Sequence, residues 1–310
     1  MKPLTPPGLR GTWATLLLPI TEHEAIDWPR LRADLDYLIS SRLHGLYVHG
    51  TSGEFFTLTE DEFDRINGLL TERCEAAGMA FQIGASHMSA QVSLQRVRRA
   101  TEYYPGAIQV ILPDWVPLSE SAVLTCLRRF AEAAQDVPLV LYNPPHAKTT
   151  VTTALYSRLA AEIPSLIGVK VAEGSKVWFE EMRPLAPRLA VFVPGHRMAS
   201  GMRLGAAGSY SNVACLNPTG ARNWYKLILE DPTTALDVER RLRRFFDDYV
   251  VPLQRAGYPD HALDKYLAAV GGWATAGTRV RWPYPSLDET EAEQLRPIAR
   301  KRLPELFPES

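Results

Sequence analysis

"LIGVKVAE", residues 166–173, is an apolar run broken by a single cation, Lys170. Seven runs of the same kind recur along the chain. They are "TWATLLLPI" (12–20), "GLYVHG" (45–50), "AFQIGAS" (80–86), "GAIQVILP" (106–113), "PLVLYNPP" (138–145), "LAVFVPG" (189–195) and "GSYSNVAC" (208–215). Short apolar runs bounded by Gly and Pro suit strands buried on both faces, as in a parallel sheet. The stretches between them read as amphipathic helices. Thr59 with Glu62 forms a capping-box signature, and Asn217 before Pro218 is a good N-cap and first-turn pair. Eight β–α units without a long break predict a closed (β/α)₈ TIM barrel rather than an open doubly wound sheet. The absence of G-x-G-x-x-G after the first run agrees with this. Beyond about residue 230 the strand signals stop. "ALDVERRLRRFFDDYVVPLQRAG", "DHALDKYLAAVGG" and "SLDETEAEQLRPIARKRL" read as further helices. The expected organisation is a barrel over 1–230 and C-terminal helices over 231–310, one structural unit without a flexible linker.

Composition excludes several classes. The chain has 310 residues, 46% of them hydrophobic, enough for a large core, and a formal net charge of -1. No block of like charges suggests nucleic acid or an anionic membrane surface as a partner. No run approaches the roughly 20 apolar residues of a membrane helix. The N-terminal apolar stretch is too short and too Pro-broken for a signal peptide. Cys74, Cys126 and Cys215 are odd in number and far apart, which predicts reduced thiols and a cytoplasmic location.

Lys170 raises the chemical question. Strand alternation predicts Ile167, Val169 and Val171 under the outer helices, and Gly168, Lys170 and Ala172 in the barrel interior. A desolvated lysine has a lowered pKa, and a neutral amine can form a Schiff base with a ketone. A lysine reaching past the strand end, or paired with Glu173, accounts for the strand equally well at this point. Barrel active sites lie at the C-terminal ends of strands. That rule selects His49–Glu54, His87, Asp114, Tyr142–His146, Lys170–Glu173, Gly195–Arg197 and Ser209–Asn212. Tyr142 ends the strand before that of Lys170, so a phenol and an amine could meet and exchange protons. In "GTSGE" (50–54) two glycines and two hydroxyls follow a strand directly, a pattern suited to a carboxylate or phosphate.

"GTSGE" after the second strand, "YN-x-P" after the fifth and "G-[IV]-K" in the sixth together resemble the dihydrodipicolinate synthase and N-acetylneuraminate lyase family. Order and spacing match over roughly residues 10–300. The resemblance implies a Schiff-base (class I) aldolase or related dehydratase, usually tetrameric, needing no metal or organic cofactor. By position it implies Lys170 as the imine-forming residue for pyruvate or another 2-oxo acid. Tyr142 would transfer protons, and Thr51 and Ser52 would bind the carboxylate. Gly195 would be a backbone site after the seventh strand, and Tyr210 would offer a main-chain carbonyl toward the lysine. Aldol cleavage, condensation and dehydration, including dehydration of a 2-keto-3-deoxy sugar acid, share one intermediate and stay open.

The chain departs from these families in three places. Dihydrodipicolinate synthases follow the fourth strand with a threonine–proline–tyrosine–tyrosine run, one tyrosine joining a proton relay from a neighbouring subunit. Here "LPDWVP" puts Trp115 at that place, and an indole donates but cannot relay a proton. Those enzymes also carry an arginine shortly after the catalytic tyrosine, where this chain has Ala147 between His146 and Lys148. Both departures argue against 4-hydroxy-tetrahydrodipicolinate synthase activity. The neuraminate lyases carry acids after the seventh strand, where "PGHRMAS" supplies none. Arg197, His196 or Lys148 is the expected ligand for a distal carboxylate or polar tail. A competing reading is a metal-dependent barrel hydrolase using His49, His87, His146 and His196, although no H-x-H or H-x-x-x-H pair supports it. A homo-oligomer, tetramer or dimer, is expected from the resemblance alone.

Overall fold

The eight apolar runs each supply a strand because their branched residues fill both faces of a sheet buried between layers. In the computed structural model, which describes residues 1–171 and 174–307, these are β1 (Gly11–Thr15), β2 (Gly45–Val48), β3 (Phe81–Gly84), β4 (Ala107–Ile111), β5 (Leu139–Asn143), β6 (Leu166–Val171), β7 (Ala190–Pro194) and β8 (Gly208–Tyr210). They pair in parallel in sequence order, and β8 returns to β1, closing the predicted TIM barrel.

Helices follow the strands: α1 (Trp28–Ser40), α2 (Glu60–Ala77), α3 (Ala90–Thr101), α4 (Glu120–Ala134), α5 (Thr153–Glu162), α6 (Lys176–Met182) and α7 (Met198–Leu204). After β8 come α8 (Asn212–Leu216) and α9 (Pro218–Glu230). The C-terminal segment adds α10 (Pro232–Tyr249), α11 (Val251–Arg255), α12 (Asp260–Gly271) and α13 (Glu289–Arg302). The two predicted caps form. Thr59 and Glu62 bond reciprocally at the start of α2, and the Asn217 side chain accepts from Gly220 N–H at the start of α9. None of the described helices is long and apolar enough to cross a membrane.

Two expectations need correction. The run 208–215 is strand only to Tyr210. The Ser211 side chain accepts from Ala214 N–H and caps α8, so "NVACL" is apolar because a short buried helix packs over the barrel. Ile167 faces inward rather than outward. The register slips between Leu139 and Val140, which pair with Leu166 and Gly168 respectively, so Ile167 is the extra residue of a bulge. It joins Leu9, Trp13, Val140 and Phe192 in the interior cluster, while Val169 and Val171 lie in the outer core as expected. Leu9 closes the lower end of the barrel. A Cβ on Gly168 would lie 2.5 Å from Leu9 Cδ2, so any larger residue at this strand position would have to displace the Leu9 side chain.

Candidate active site

Parallel pairing brings the central residues together. Tyr142 of β5 and Lys170 of β6 are register partners, so their side chains leave the same face of adjacent strands. Lys170 Nζ lies 4.0 Å from the centre of the Tyr142 ring. The rings of Tyr47 and Tyr210 stand 5.6 Å away. Three π faces around an ammonium supply part of the stabilisation that water has ceased to give. Burial still wins: it lowers the Lys170 pKa to about 8, against a smaller opposing pull from Asp264, Asp260 and Cys215. Among the described residues no carboxylate forms an ion pair with this amine. Glu173, the sequence-based candidate for that part, lies outside the described residues.

Burial also pushes the Tyr142 phenol above its ordinary range, with Asp260 adding to the effect and a hydrogen bond with Thr51 opposing it. Tyr142 therefore rests protonated, as a donor. The Tyr210 hydroxyl donates to Gln82 Oε1 at 2.7 Å, which fixes the ring inside the barrel.

A cavity of about 510 Å³ opens at the C-terminal ends of the strands. Thr51, Ser52, Tyr142, Lys170, Tyr210 and Arg197, expected from the sequence, all line it. Gly195 does not. It is buried behind the wall, where a Cβ would lie 2.3 Å from Ser211 Oγ, so its part is close packing of the turn Gly195–Arg197 against Ser211 and Asn212. His196 lines the cavity, but burial lowers its pKa to about 4. Its Nδ1 pairs with Asn212 Nδ2 at 2.8 Å. It is a neutral polar contact, which suits the polar tail of the sequence-based expectation better than a distal carboxylate. Lys148 does not line this cavity. Its Nζ donates to the Trp115 carbonyl at 3.0 Å and its N–H to Asp114 Oδ1 at 2.7 Å, outside the cavity wall. Trp115 itself is 80% exposed.

The histidines do not converge. His49 turns away from the cavity, its Nε2 2.8 Å from Asn67 Oδ1 and its ring stacked on Phe63 at 4.6 Å. His87 accepts from Ser89 N–H, and His146 is exposed. No group of three or more His, Cys, Asp or Glu placed to hold a metal occurs among the described residues.

Sequence reasoning missed the roof of the cavity. Asp260, Leu263, Asp264 and Leu267 reach it from α12, and Arg243 and Asp247 from α10. Ser52 Oγ donates a hydrogen bond to Asp264 Oδ2. Burial raises the Asp264 pKa to about 7, with the Ser52 bond and Lys170 opposing the rise. The one signal available was the spacing of these four residues, which places two acids among leucines on one helical face. Lys265, the next residue, points the other way. It forms a wholly buried ion pair with Glu54, the last residue of "GTSGE", at 2.5 Å.

Residues 8–302 match the sequence model of the dihydrodipicolinate synthetase family. A 4-hydroxy-tetrahydrodipicolinate synthase of Thermomicrobium roseum is 33% identical over 168 residues, covering 54% of each chain. An N-acetylneuraminate lyase of Escherichia coli is 28% identical over 203 residues, 65% of this chain and 68% of that one. The first match thus spans about half the length of that curated relative. Among solved structures, YagE, a prophage protein of E. coli K12 crystallised with pyruvate, superposes with a TM-score of 0.83 at 22% identity. That superposition covers 95% of this chain and 98% of YagE.

Proposed function

The chain belongs to the dihydrodipicolinate synthetase family, and on that premise we propose that it is a Schiff-base-forming lyase acting on pyruvate or a related 2-oxo acid. The observation that carries this reading is the buried Lys170 amine, its pKa lowered to about 8, against the Tyr142 ring in the cavity at the strand ends. The substrate carboxylate docks at Thr51 and Ser52. Neutral Lys170 attacks the C2 carbonyl, and protonated Tyr142 gives its proton to the departing hydroxyl of the carbinolamine. Tyr142, now a phenolate, takes the C4 hydroxyl proton as that oxygen becomes a carbonyl, and the iminium accepts the electron pair of the breaking C3–C4 bond; the reverse flow makes that bond. Loss of water from a 2-keto-3-deoxy acid uses the same imine.

Arg197 and Arg243 beside Asp247 and Asp260 give the outer cavity both signs of charge, which suits a polar, hydroxylated tail. Exposed Trp115 and Ala147, at the positions where dihydrodipicolinate synthases carry a relay tyrosine and an arginine, favour such a tail over the substrate of those enzymes. The barrel (1–230) and the helices (231–310) act as one unit, since α12 roofs the site. We read the protein as a cytoplasmic homo-oligomer, dimer or tetramer. Cys74, Cys126 and Cys215 are unpaired thiols. Trp115 and Val116 present exposed apolar side chains in one loop, a surface a second subunit would cover. No cofactor enters this mechanism.

Incubation with pyruvate and borohydride, followed by peptide mass analysis, tests the reading. The expected result is a stable adduct on Lys170 that is absent from Lys170→Ala. A folded protein that yields no adduct, or yields one on another lysine, would overturn it.

A further inference from the structure

Ser52 is expected to bind the substrate carboxylate, yet its hydroxyl proton is already given to a carboxyl group of the protein, Asp264. A serine hydroxyl has one proton to donate. Two carboxylates converging on it repel each other unless one carries a proton, as in paired acids that share a site. We propose that Asp264 is a specificity-determining residue of this site: it shares one proton with the incoming carboxylate, so that a 2-oxo acid seats only once Asp264 is protonated. This rests on the imine-forming reading above and adds a residue from the C-terminal helices to it.

The surroundings support the exchange. Asp264 faces Lys170 of β6, Tyr47 of β2, Tyr142 of β5, Cys215 of α8 and, one turn earlier on its own helix, Asp260. Arg243 and Asp247 of α10 line the same cavity. Lys170 favours the Asp264 anion and Asp260 disfavours it; burial outweighs both and places the titration at about 7. Once protonated, the acid can donate its own hydrogen to Ser52 or to the substrate, and the serine proton is freed for the substrate carboxylate. The proton comes from solvent and no bond to carbon changes. Carboxylate binding thus strengthens as pH falls through about 7, whereas Lys170 becomes nucleophilic as pH rises toward 8.

Lactate is the probe, because it carries the same 2-oxygenated carboxylate but cannot form an imine. Its inhibition constant against pyruvate trapping is measured between about pH 6 and pH 8 in wild type and in Asp264→Asn, whose amide mimics the protonated acid. Wild type should hold constant below about 7 and weaken by up to tenfold for one further pH unit, as linkage to a single proton requires. D264N should keep only the shallow fall, at most about twofold by pH 8, that loss of the Lys170 charge contributes. A flat wild-type profile, or a D264N profile with the wild-type slope, overturns the proposal. Should D264N fail to fold, calorimetry of lactate binding to Lys170→Met in buffers of different ionisation enthalpy replaces it. That variant removes the lysine's own titration. Uptake approaching one proton near pH 8 is expected, and no uptake overturns the proposal. Adduct formation at saturating pyruvate reads the imine separately. Adducts in both wild type and D264N, together with identical pH slopes for lactate inhibition, sink the role of Asp264 and leave the imine standing. Proton-linked lactate binding without any adduct does the reverse.

Discussion

Lys265→Met removes the ammonium of the buried pair with Glu54 while keeping nearly the same length of side chain. Both partners are 0% exposed and their charged atoms stand 2.5 Å apart. The Lys265 ammonium also donates to the Arg279 carbonyl at 2.6 Å. Among the described residues Glu54 would keep one other hydrogen-bond donor, the Arg281 N–H at 3.3 Å. The Arg281 guanidinium is engaged by Glu62 and attracts the Glu54 carboxylate only as a weaker, through-space charge. Breaking one side of a buried pair costs about 3–5 kcal/mol, mostly the stranding of the remaining charge. Against a typical domain stability of about 5–15 kcal/mol this is a large fraction. Urea unfolding followed by tryptophan fluorescence should show a midpoint drop at unchanged slope. Lys226→Met, at an exposed position of α9, is the control and should stay within about 0.5 kcal/mol. Lys265→Met/Glu54→Gln should recover stability relative to Lys265→Met, since it removes the stranded charge. A loss below about 1 kcal/mol in the single variant, or strict additivity in the double, would refute the reasoning.

Two further outcomes follow from the site. The rate of imine trapping at saturating pyruvate should rise with pH to a plateau with its midpoint near 8; a midpoint near 10 would show that the amine is not desolvated. At pH 7 about a tenth of such an amine is neutral, roughly 300-fold more than for an ordinary lysine. The sign for stability is also set: the unfolded chain holds this proton more tightly. The penalty of burying the ammonium is therefore present below about 8 and is relieved as pH rises from there toward the ordinary lysine value. Gly195→Ala would force Ser211 or the turn to move, given the 2.3 Å clash. The expected cost is about 1–3 kcal/mol with a raised KM, and thermal unfolding equal to wild type would contradict it.

The barrel was readable because each strand is an uninterrupted apolar run, a pattern that buried parallel strands impose and few other structures need. The same logic explains its failures. "NVACL" is as apolar as a strand because α8 is buried, and periodicity alone does not separate the two over so few residues. Ile167 turned inward through a bulge, which depends on pairing with Leu139 and Val140 and leaves no mark in its own strand. At the site, Lys170, Tyr142, Thr51 and Ser52 sit on strands or directly after them, so position along the strand placed them. Asp264 was hidden because α12 reads as an ordinary helix. What converts its acid into a wall of the cavity is docking across 212 residues to Ser52. His49 looked like a cavity residue by position, but its backbone turns at a φ of 58° and the ring leaves by the opposite side.

That long span has a consequence for the newborn protein. β6 with Lys170 leaves the ribosome roughly 5–20 s before α12 does, at synthesis rates of about 5–20 residues per second. During that interval the amine lacks the apolar cover of Leu263 and Leu267, and it also lacks Asp260 and Asp264, the two acids that favour its charged form. Cover and opposing charge arrive together, on one helix.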